Sequence, residues 1–202
     1  GAANGPMTRT FKAGMLAFSR TLATTSSIVL FAILSRLFNK ADYATYQQTI
    51  LIYQSAAPLL ALGLPAALFY FLPRHKERAR ALLVENVFLL LAIGAGFGLL
   101  IYFPGRSLIA GSFDNTALFW TLPFLSIYAV FMLASQATPA CLVSRDRVPW
   151  LVGFEITAKI ATVLAVAAAA LWFGQPTVAV AVLAGMTAFS FLGGMLLCVR
   201  ST

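Results

Sequence analysis

Residues 73–103 read PRHKERARALLVENVFLLLAIGAGFGLLIYF, a basic octamer followed by 23 residues that carry a single charge, Glu85. A helix needs about 20 apolar residues to cross the hydrocarbon core of a bilayer. The apolar part is therefore long enough for a transmembrane helix. Short basic segments beside such helices are typical of the cytoplasmic side of a membrane. This stretch predicts a membrane-spanning helix that follows a cytoplasmic loop.

The composition of the whole chain favours the same class of protein. Of its 202 residues, 60% are hydrophobic and 10% are charged, and its mean hydropathy is +0.88. An average soluble domain is about 25% charged. A net charge of +8 could indicate a nucleic-acid partner, but the basic residues lie in short gaps between apolar stretches, which favours membrane lipids as the partner and no nucleic acid. Cys141 and Cys198 lie inside apolar runs and are predicted to be packing residues.

Six stretches of the chain are apolar and long enough to span a bilayer, so we predict an all-α integral membrane protein. The spans cover about 13–38, 46–72, 81–102, 116–143, 150–173 and 177–199. Pro and Gly in the connectors predict loops, among them FPGRSLIAGSFDN at 103–115. Gly94 and Gly98 form a GxxxG spacing that predicts a close helix contact. Four prolines predict kinks within spans: Pro58, Pro65, Pro123 and Pro139.

The distribution of Lys and Arg predicts the orientation of the helices. If the N-terminus is cytoplasmic, nine basic residues fall on the cytoplasmic side and three on the other. The nine are Arg9, Lys12, Arg74, Lys76, Arg78, Arg80, Arg145, Arg147 and Arg200; the three are Arg36, Lys40 and Arg106. All the connectors are short, which is the condition under which the positive-inside rule holds. We therefore predict a multi-pass protein of the cytoplasmic (inner) membrane with a cytoplasmic N-terminus.

Charged residues within the spans are the candidate functional residues. Arg20 and Lys159 are the two basic residues left over, and Glu155 precedes Lys159 by four positions. A charge at the centre of a membrane helix costs about 2.5–3.5 kcal/mol on insertion scales, so such residues usually face a protein interior or an aqueous cavity. At 1.5 Å per residue, Lys159 would lie roughly 15 Å into its span, near the midplane.

Uncharged polar residues extend these positions into stripes on three helices. Thr162 follows Lys159 on one helix, and Thr24 and Ser27 share a face with Arg20 on another. On the second predicted span, Gln47 and Gln54 are seven residues apart and lie on one face. We predict that the three stripes line a shared hydrated cavity that binds substrate.

Two structural interpretations stay open beside this functional one. Arg20 lies toward the inner end of its helix, where a long side chain can reach the lipid headgroups. Glu155 and Lys159 could instead neutralise one another as an i, i+4 pair. His75 is the only histidine and lies in the basic octamer, so no apparatus for catalysis or for binding a metal or cofactor is visible.

The segment SRLFNKADYATYQQTILIYQSAAPLLALGLPAALFYFLPRH at 35–75 resembles the start of polysaccharide-exporter flippases. These include the O-antigen flippases of the multidrug/oligosaccharidyl-lipid/polysaccharide (MOP) superfamily. The similar features are a Ser-Arg run at Ser35, an acidic-aromatic loop at Asp42 and Tyr43, and a Gly-Leu pair at Gly63 before a basic loop. The family often has Gly near Asn39 and Ala44, where this sequence departs from it.

The resemblance implies a transporter of twelve or fourteen helices in two six-helix lobes, of which residues 1–202 would form the N-terminal lobe. The ending LLCVRST, directly after the sixth span, leads us to expect that the C-terminal lobe of the same chain is missing; two copies pairing as a homodimer is the other arrangement. The resemblance further implies a cationic lumen with an Arg in the first helix, which points to Arg20.

The resemblance, together with the buried charges, implies a flippase that moves a polyprenyl-diphosphate-linked oligosaccharide across the membrane by alternating access. Arg20 would contact the diphosphate and Lys159 would support it, because fixed cations replace the hydration that the anion loses. Coupling to an H⁺ or Na⁺ gradient could involve Glu155. Three other interpretations remain: a multidrug or cation antiporter of the same architecture, a membrane-embedded glycosyl- or acyltransferase using Asp42 or Asp114, and a structural subunit.

Overall fold

The computed structural model describes the backbone of residues 9–200, and the side chains of residues 24–200 except Lys76, together with positions 14, 17 and 21. This part of the chain is all α-helical. Nine α-helices follow one another: α1 Arg9–Leu37, α2 Lys40–Ala61, α3 Leu64–Phe71, α4 Ala79–Leu100, α5 Arg106–Ser112, α6 Leu118–Ser135, α7 Ala137–Ser144, α8 Val148–Phe173 and α9 Pro176–Arg200. A 3₁₀ turn at Lys76–Arg78 precedes α4, and a π-helical turn at Ile101–Gly105 joins α4 to α5.

Four helical segments of the described chain are long and apolar enough to cross a membrane. They are Ala79–Ser112, Leu118–Ser144, Val148–Phe173 and Pro176–Arg200, and the bent pair α2 and α3 makes a fifth if it is counted as one span. Near the start of the described residues, Thr24–Leu37 is a shorter apolar helix. The prediction of an all-α, multi-pass membrane protein is confirmed by these segments, whereas the sixth crossing stays a prediction.

The second predicted span is broken between its two prolines. Leu62 and Gly63 both adopt left-handed backbone conformations, with φ of 47° and 70°, and α3 leaves α2 at 44°. Glycine tolerates this conformation without steric cost, and Pro65 suits the first turn of the new helix. Asn86 of α4 donates to the Leu64 carbonyl at 3.0 Å, which ties the start of α3 to the bundle.

The predicted loop at 103–115 is wrong for most of its length, because helix continues to Ser112. The π turn accommodates Pro104, whose missing N–H would otherwise interrupt the hydrogen bonding of an α-helix. Gly105 is required there, since a Cβ at this position would lie 2.8 Å from the Leu100 carbonyl oxygen. Arg106 then anchors the segment: its Nε donates to the Phe119 carbonyl at 2.8 Å, and its guanidinium lies 3.4 Å from the centre of the Phe119 ring.

The residues Asp42 and Tyr43, predicted in a loop, lie instead in the first turn of α2. Asn39 is the cause, because its side-chain oxygen accepts from the Asp42 amide at 2.8 Å and its Nδ2 donates to the Asp42 carboxylate at 2.7 Å. Such a cap satisfies amides that have no partner inside the helix. Only two residues therefore separate α1 from α2.

The GxxxG prediction is confirmed by the packing of α4 on α6. A Cβ at Gly94 would lie 2.8 Å from Val130 Cα, and one at Gly98 would lie 3.3 Å from Ser126 Cβ. The closeness also allows Ser126 Oγ to donate to the Gly98 carbonyl at 3.0 Å. Helix α6 is central: Leu118, Leu122 and Leu125 are fully buried, and α4, α9 and α2 all pack against it.

Two of the basic residues that the sequence places on the cytoplasmic side, Arg80 and Arg145, lie at the same end of the bundle. Arg145, after α7, donates to the Cys198 carbonyl near the end of α9, and Arg80 at the start of α4 lines the same groove as Arg145. Cys141 and Cys198 are not joined in a disulfide and are both buried beside this end, which confirms their role as packing residues.

Candidate functional site

A cavity of about 290 Å³ lies among α6, α7, α8 and α9. Three of these helices contribute residues at i, i+4 and i+7, the spacing that places side chains on one helix face. The three sets are Glu155, Lys159 and Thr162 on α8; Leu183, Thr187 and Ser190 on α9; and Tyr128, Met132 and Ser135 on α6. Three helix faces thus meet at one space, and each of them carries at least two polar residues.

Glu155 and Lys159 both line this cavity but are not paired with one another. Within residues whose side chains are described, neither forms an ion pair or a hydrogen bond, although their i, i+4 spacing would permit one. Neither the Glu155 carboxylate nor the Lys159 ammonium group is fully buried without a hydrogen-bond partner. A side chain charged at this depth needs water or a ligand in place of its lost hydration. The cavity provides that space.

Three of the hydroxyl groups on the wall of the cavity are available to a ligand as acceptors. Thr162 donates to the Ala158 carbonyl at 2.7 Å, Thr187 to Leu183 at 2.8 Å, and Ser135 to Met132 at 2.8 Å. A hydroxyl whose proton is used in its own helix keeps its lone pairs. These oxygens therefore suit a ligand that donates hydrogen bonds, such as water or a sugar hydroxyl.

A break between α6 and α7 brings an amide and a further hydroxyl to the cavity. The helix is interrupted at Gln136, where Pro139 cannot donate to the Ser135 carbonyl, as the prolines predicted. Thr138 is 5% exposed, and its Oγ1 has no hydrogen-bond partner in the described chain. Gly194 of α9 permits this packing, because a Cβ there would lie 3.0 Å from that oxygen. An unpaired buried hydroxyl at a cavity is a site for a bound water or ligand.

Four other predicted site residues do not line this cavity: Gln47, Gln54, Thr24 and Ser27. Gln47 is half-buried and its Nε2 donates to the Tyr43 hydroxyl at 2.8 Å, while Gln54 is exposed on α2. Thr24 and Ser27 are exposed on α1, which packs along α8. Arg20 belongs to α1, but its side chain lies outside the described residues. Among the described side chains, only the α8 stripe of the three predicted stripes lines this cavity, and the part that Arg20 would play stays a prediction.

Several functional candidates were missed by the sequence analysis. They are Thr187 and Ser190 on α9, Tyr128 and Ser135 on α6, and Gln136 and Thr138 at the break between α6 and α7. The spacing of Thr187 and Ser190, one helical turn apart in an otherwise apolar segment, is the same signal that identified Glu155 and Lys159. Gln136 is the only carboxamide between residues 116 and 148, which is a second signal.

The cavity should be accessible to water-soluble reagents in the folded protein. At about 30 Å³ per water molecule, its volume holds several waters. In a variant whose two native cysteines are replaced by Ala, we expect Ser190→Cys to react with a charged methanethiosulfonate at least about tenfold faster than Leu192→Cys, because only a hydrated thiol ionises. Leu192 is 57% exposed on the outer surface of α9 and serves as the lipid-facing control. Equal rates would show that the cavity is dry.

Comparison with protein-family models, with curated proteins and with solved structures finds no match for this chain. The class of protein therefore follows from its own helices and cavity. The chain is an all-α, multi-pass membrane protein with two charged residues that face a partly open cavity between its helices.

Proposed function

We propose that the protein is a transporter of the cytoplasmic membrane, and more specifically a flippase for a polyprenyl-diphosphate-linked glycan. The observation that carries this proposal is Lys159, a cation near the middle of α8 that lines a cavity and has no anionic partner in the described structure. If Lys159 and Glu155 formed a purely structural ion pair, their charged groups would be in direct contact. The arrangement instead offers the cation to a ligand.

The chemistry of the cavity suits the polar part of such a lipid. A diphosphate must leave water to cross the membrane, and an ammonium group replaces part of its hydration with a charge-assisted hydrogen bond. The hydroxyl oxygens of Thr162 and Thr187 and the Gln136 amide could accept from or donate to the sugar next to it. Glu155 offsets the charge of Lys159, so a second cation would be needed for a strongly anionic cargo, and Arg20 is the candidate for it.

The size of the cavity requires a conformational change during transport. A volume of about 290 Å³ is at the lower end of ligand pockets, which span roughly 300–1,000 Å³. It fits a diphosphate or one sugar but not an oligosaccharide. In this proposal the described state is a closed one, and α8 and α9 separate from α6 and α7 when the cargo enters. The helix breaks at Gln136 and at Leu62–Gly63 interrupt regular α-helical structure, so they are the positions where we expect such bending.

One observation favours a second candidate, a multidrug or cation antiporter of the same architecture. Glu155 reaches the cavity without an ion pair in the described part of the chain, which is the position that a proton- or cation-coupling carboxylate would occupy. The described lining carries one cation and one anion, so its net charge favours neither cargo.

Reconstitution into liposomes separates the two functions. A fluorescent polyprenyl-diphosphate oligosaccharide is placed in both leaflets and treated with a membrane-impermeant quencher. A flippase makes the whole population quenchable, whereas liposomes without protein protect the inner leaflet. In parallel, cationic dyes are tested for movement under an imposed proton gradient. Dye transport with no movement of the glycan lipid would replace the flippase proposal by the antiporter, and inactivity in both assays would reject transport.

A further inference from the structure

A second cavity lies on the outer surface of the bundle, between α4 and α9. Both helices pack on α6 rather than on each other, which leaves a groove of about 280 Å³ between them. Its walls are apolar side chains, chiefly Leu83, Val87 and Leu91 of α4 and Met195 of α9. Val84 and Phe88 stand at its edge and are 60% and 70% exposed.

The two charged residues of the groove lie at one end of it. Arg80 is exposed at the first turn of α4. Arg145 reaches the same end from the turn after α7 and donates to the Cys198 carbonyl, which holds its guanidinium at the mouth of the groove. A pair of guanidinium groups above an apolar channel is complementary to a phosphate attached to an acyl chain.

The dimensions of the groove match one leaflet of a bilayer. Arg80 and Leu91 are eleven residues apart on α4, or about 16 Å along the helix axis. The hydrocarbon core of a bilayer is about 30 Å thick, so the groove extends from the headgroup level to about the midplane. The basic end is the one predicted to be cytoplasmic, where anionic lipids are concentrated.

We infer that the groove between α4 and α9 is a binding site for an anionic glycerophospholipid of the cytoplasmic leaflet. Arg80 and Arg145 hold the phosphate, and the acyl chain lies along α4 between Val84 and Phe88. The site is separate from the cavity that Glu155 and Lys159 line and shares no lining residue with it. The inference therefore does not depend on the proposed transport function.

Thermal unfolding of the purified protein in detergent tests the site with two lipids of identical acyl chains, phosphatidylglycerol and phosphatidylcholine. We expect phosphatidylglycerol to raise Tm by about 5 °C more than phosphatidylcholine does. Arg80→Gln should remove this difference, while Arg147→Gln, which changes an exposed charge at the same end outside the groove, should keep it. Val84→Trp should remove the stabilisation by filling the channel, and Leu89→Trp, on an exposed position outside it, should not.

Three results would overturn the inference. Equal stabilisation of the wild-type protein by the two lipids would show that charge is not recognised. An equal loss in Arg80→Gln and Arg147→Gln would show diffuse attraction rather than a site. If Val84→Trp leaves the lipid effect intact but abolishes a concentration-dependent oligomer, the groove is an interface between protein copies.

Discussion

Replacing Lys159 by Met is expected to lower the rate of glycan-lipid transport at least about tenfold, because a charge-assisted hydrogen bond contributes about 1.5–3 kcal/mol and every 1.4 kcal/mol is a factor of ten. Met keeps the unbranched shape of the side chain and removes its charge. Lys159→Arg keeps the charge and should retain much of the activity. The measurement is the quenching assay in liposomes at matched protein content.

A neighbouring substitution controls for general damage to α8. Ile160 follows Lys159 directly, but it is 53% exposed and does not line the cavity. Ile160→Ala is expected to transport at close to the wild-type rate. A loss in this variant as large as that in Lys159→Met would show that transport is sensitive to any change in the helix.

The double variant Glu155→Gln/Lys159→Met distinguishes two roles of Lys159: binding the phosphate of the substrate and neutralising the charge of Glu155. If Lys159 only offsets the charge of Glu155, removing both charges should restore transport, because no unpaired charge then remains in the membrane. If Lys159 binds the phosphate, the double variant should stay as inactive as Lys159→Met. Restored transport would therefore reject the role proposed for Lys159 while leaving the transporter class open.

The α8 stripe could be identified from the sequence because a charge in a membrane helix is energetically unfavourable. The position of such a charge is therefore a strong indicator of a helix face that avoids lipid. Glu155 and Lys159 had to face something other than lipid, and the structure shows the cavity that they face. Thr187 and Ser190 were weaker indicators of a cavity, since hydroxyl residues can donate to their own helix and are tolerated on many helix faces. Gln47 shows the converse: a polar residue predicted in the cavity is satisfied locally by Tyr43.

The long apolar helices were also predictable, whereas the way they bend was not. Length and apolarity determine that a segment such as Val148–Phe173 is a helix. Pro104 and Gly105 predict a loop under local rules, yet a π turn lets the helix pass through them. Pro58 and Pro65 predict a kink, and the break lies between them at Leu62–Gly63, next to the Leu64 carbonyl to which Asn86 of α4 donates. Tertiary contacts decide between such local alternatives.

Gly94→Ala is expected to destabilise the protein by about 1–3 kcal/mol, the usual effect of inserting a methyl group into a filled contact. The new Cβ would lie 2.8 Å from Val130 Cα, and a backbone atom cannot move aside as a flexible side chain can. Helices α4 and α6 would have to separate, which would also stretch the hydrogen bond from Ser126 to the Gly98 carbonyl. The measurement is the free energy of unfolding in mixed micelles at increasing denaturing detergent.

Gly96→Ala is the matched control, two residues away on the same helix. A Cβ at Gly96 meets nothing within 4 Å, and the position is exposed, so Ala there should be neutral or stabilise the protein by up to about 1 kcal/mol. If the free energy of unfolding changes with opposite sign in the two variants, the effect of the helix contact is distinguished from that of helix propensity. If both variants unfold at the wild-type free energy, α4 does not pack on α6 through Gly94.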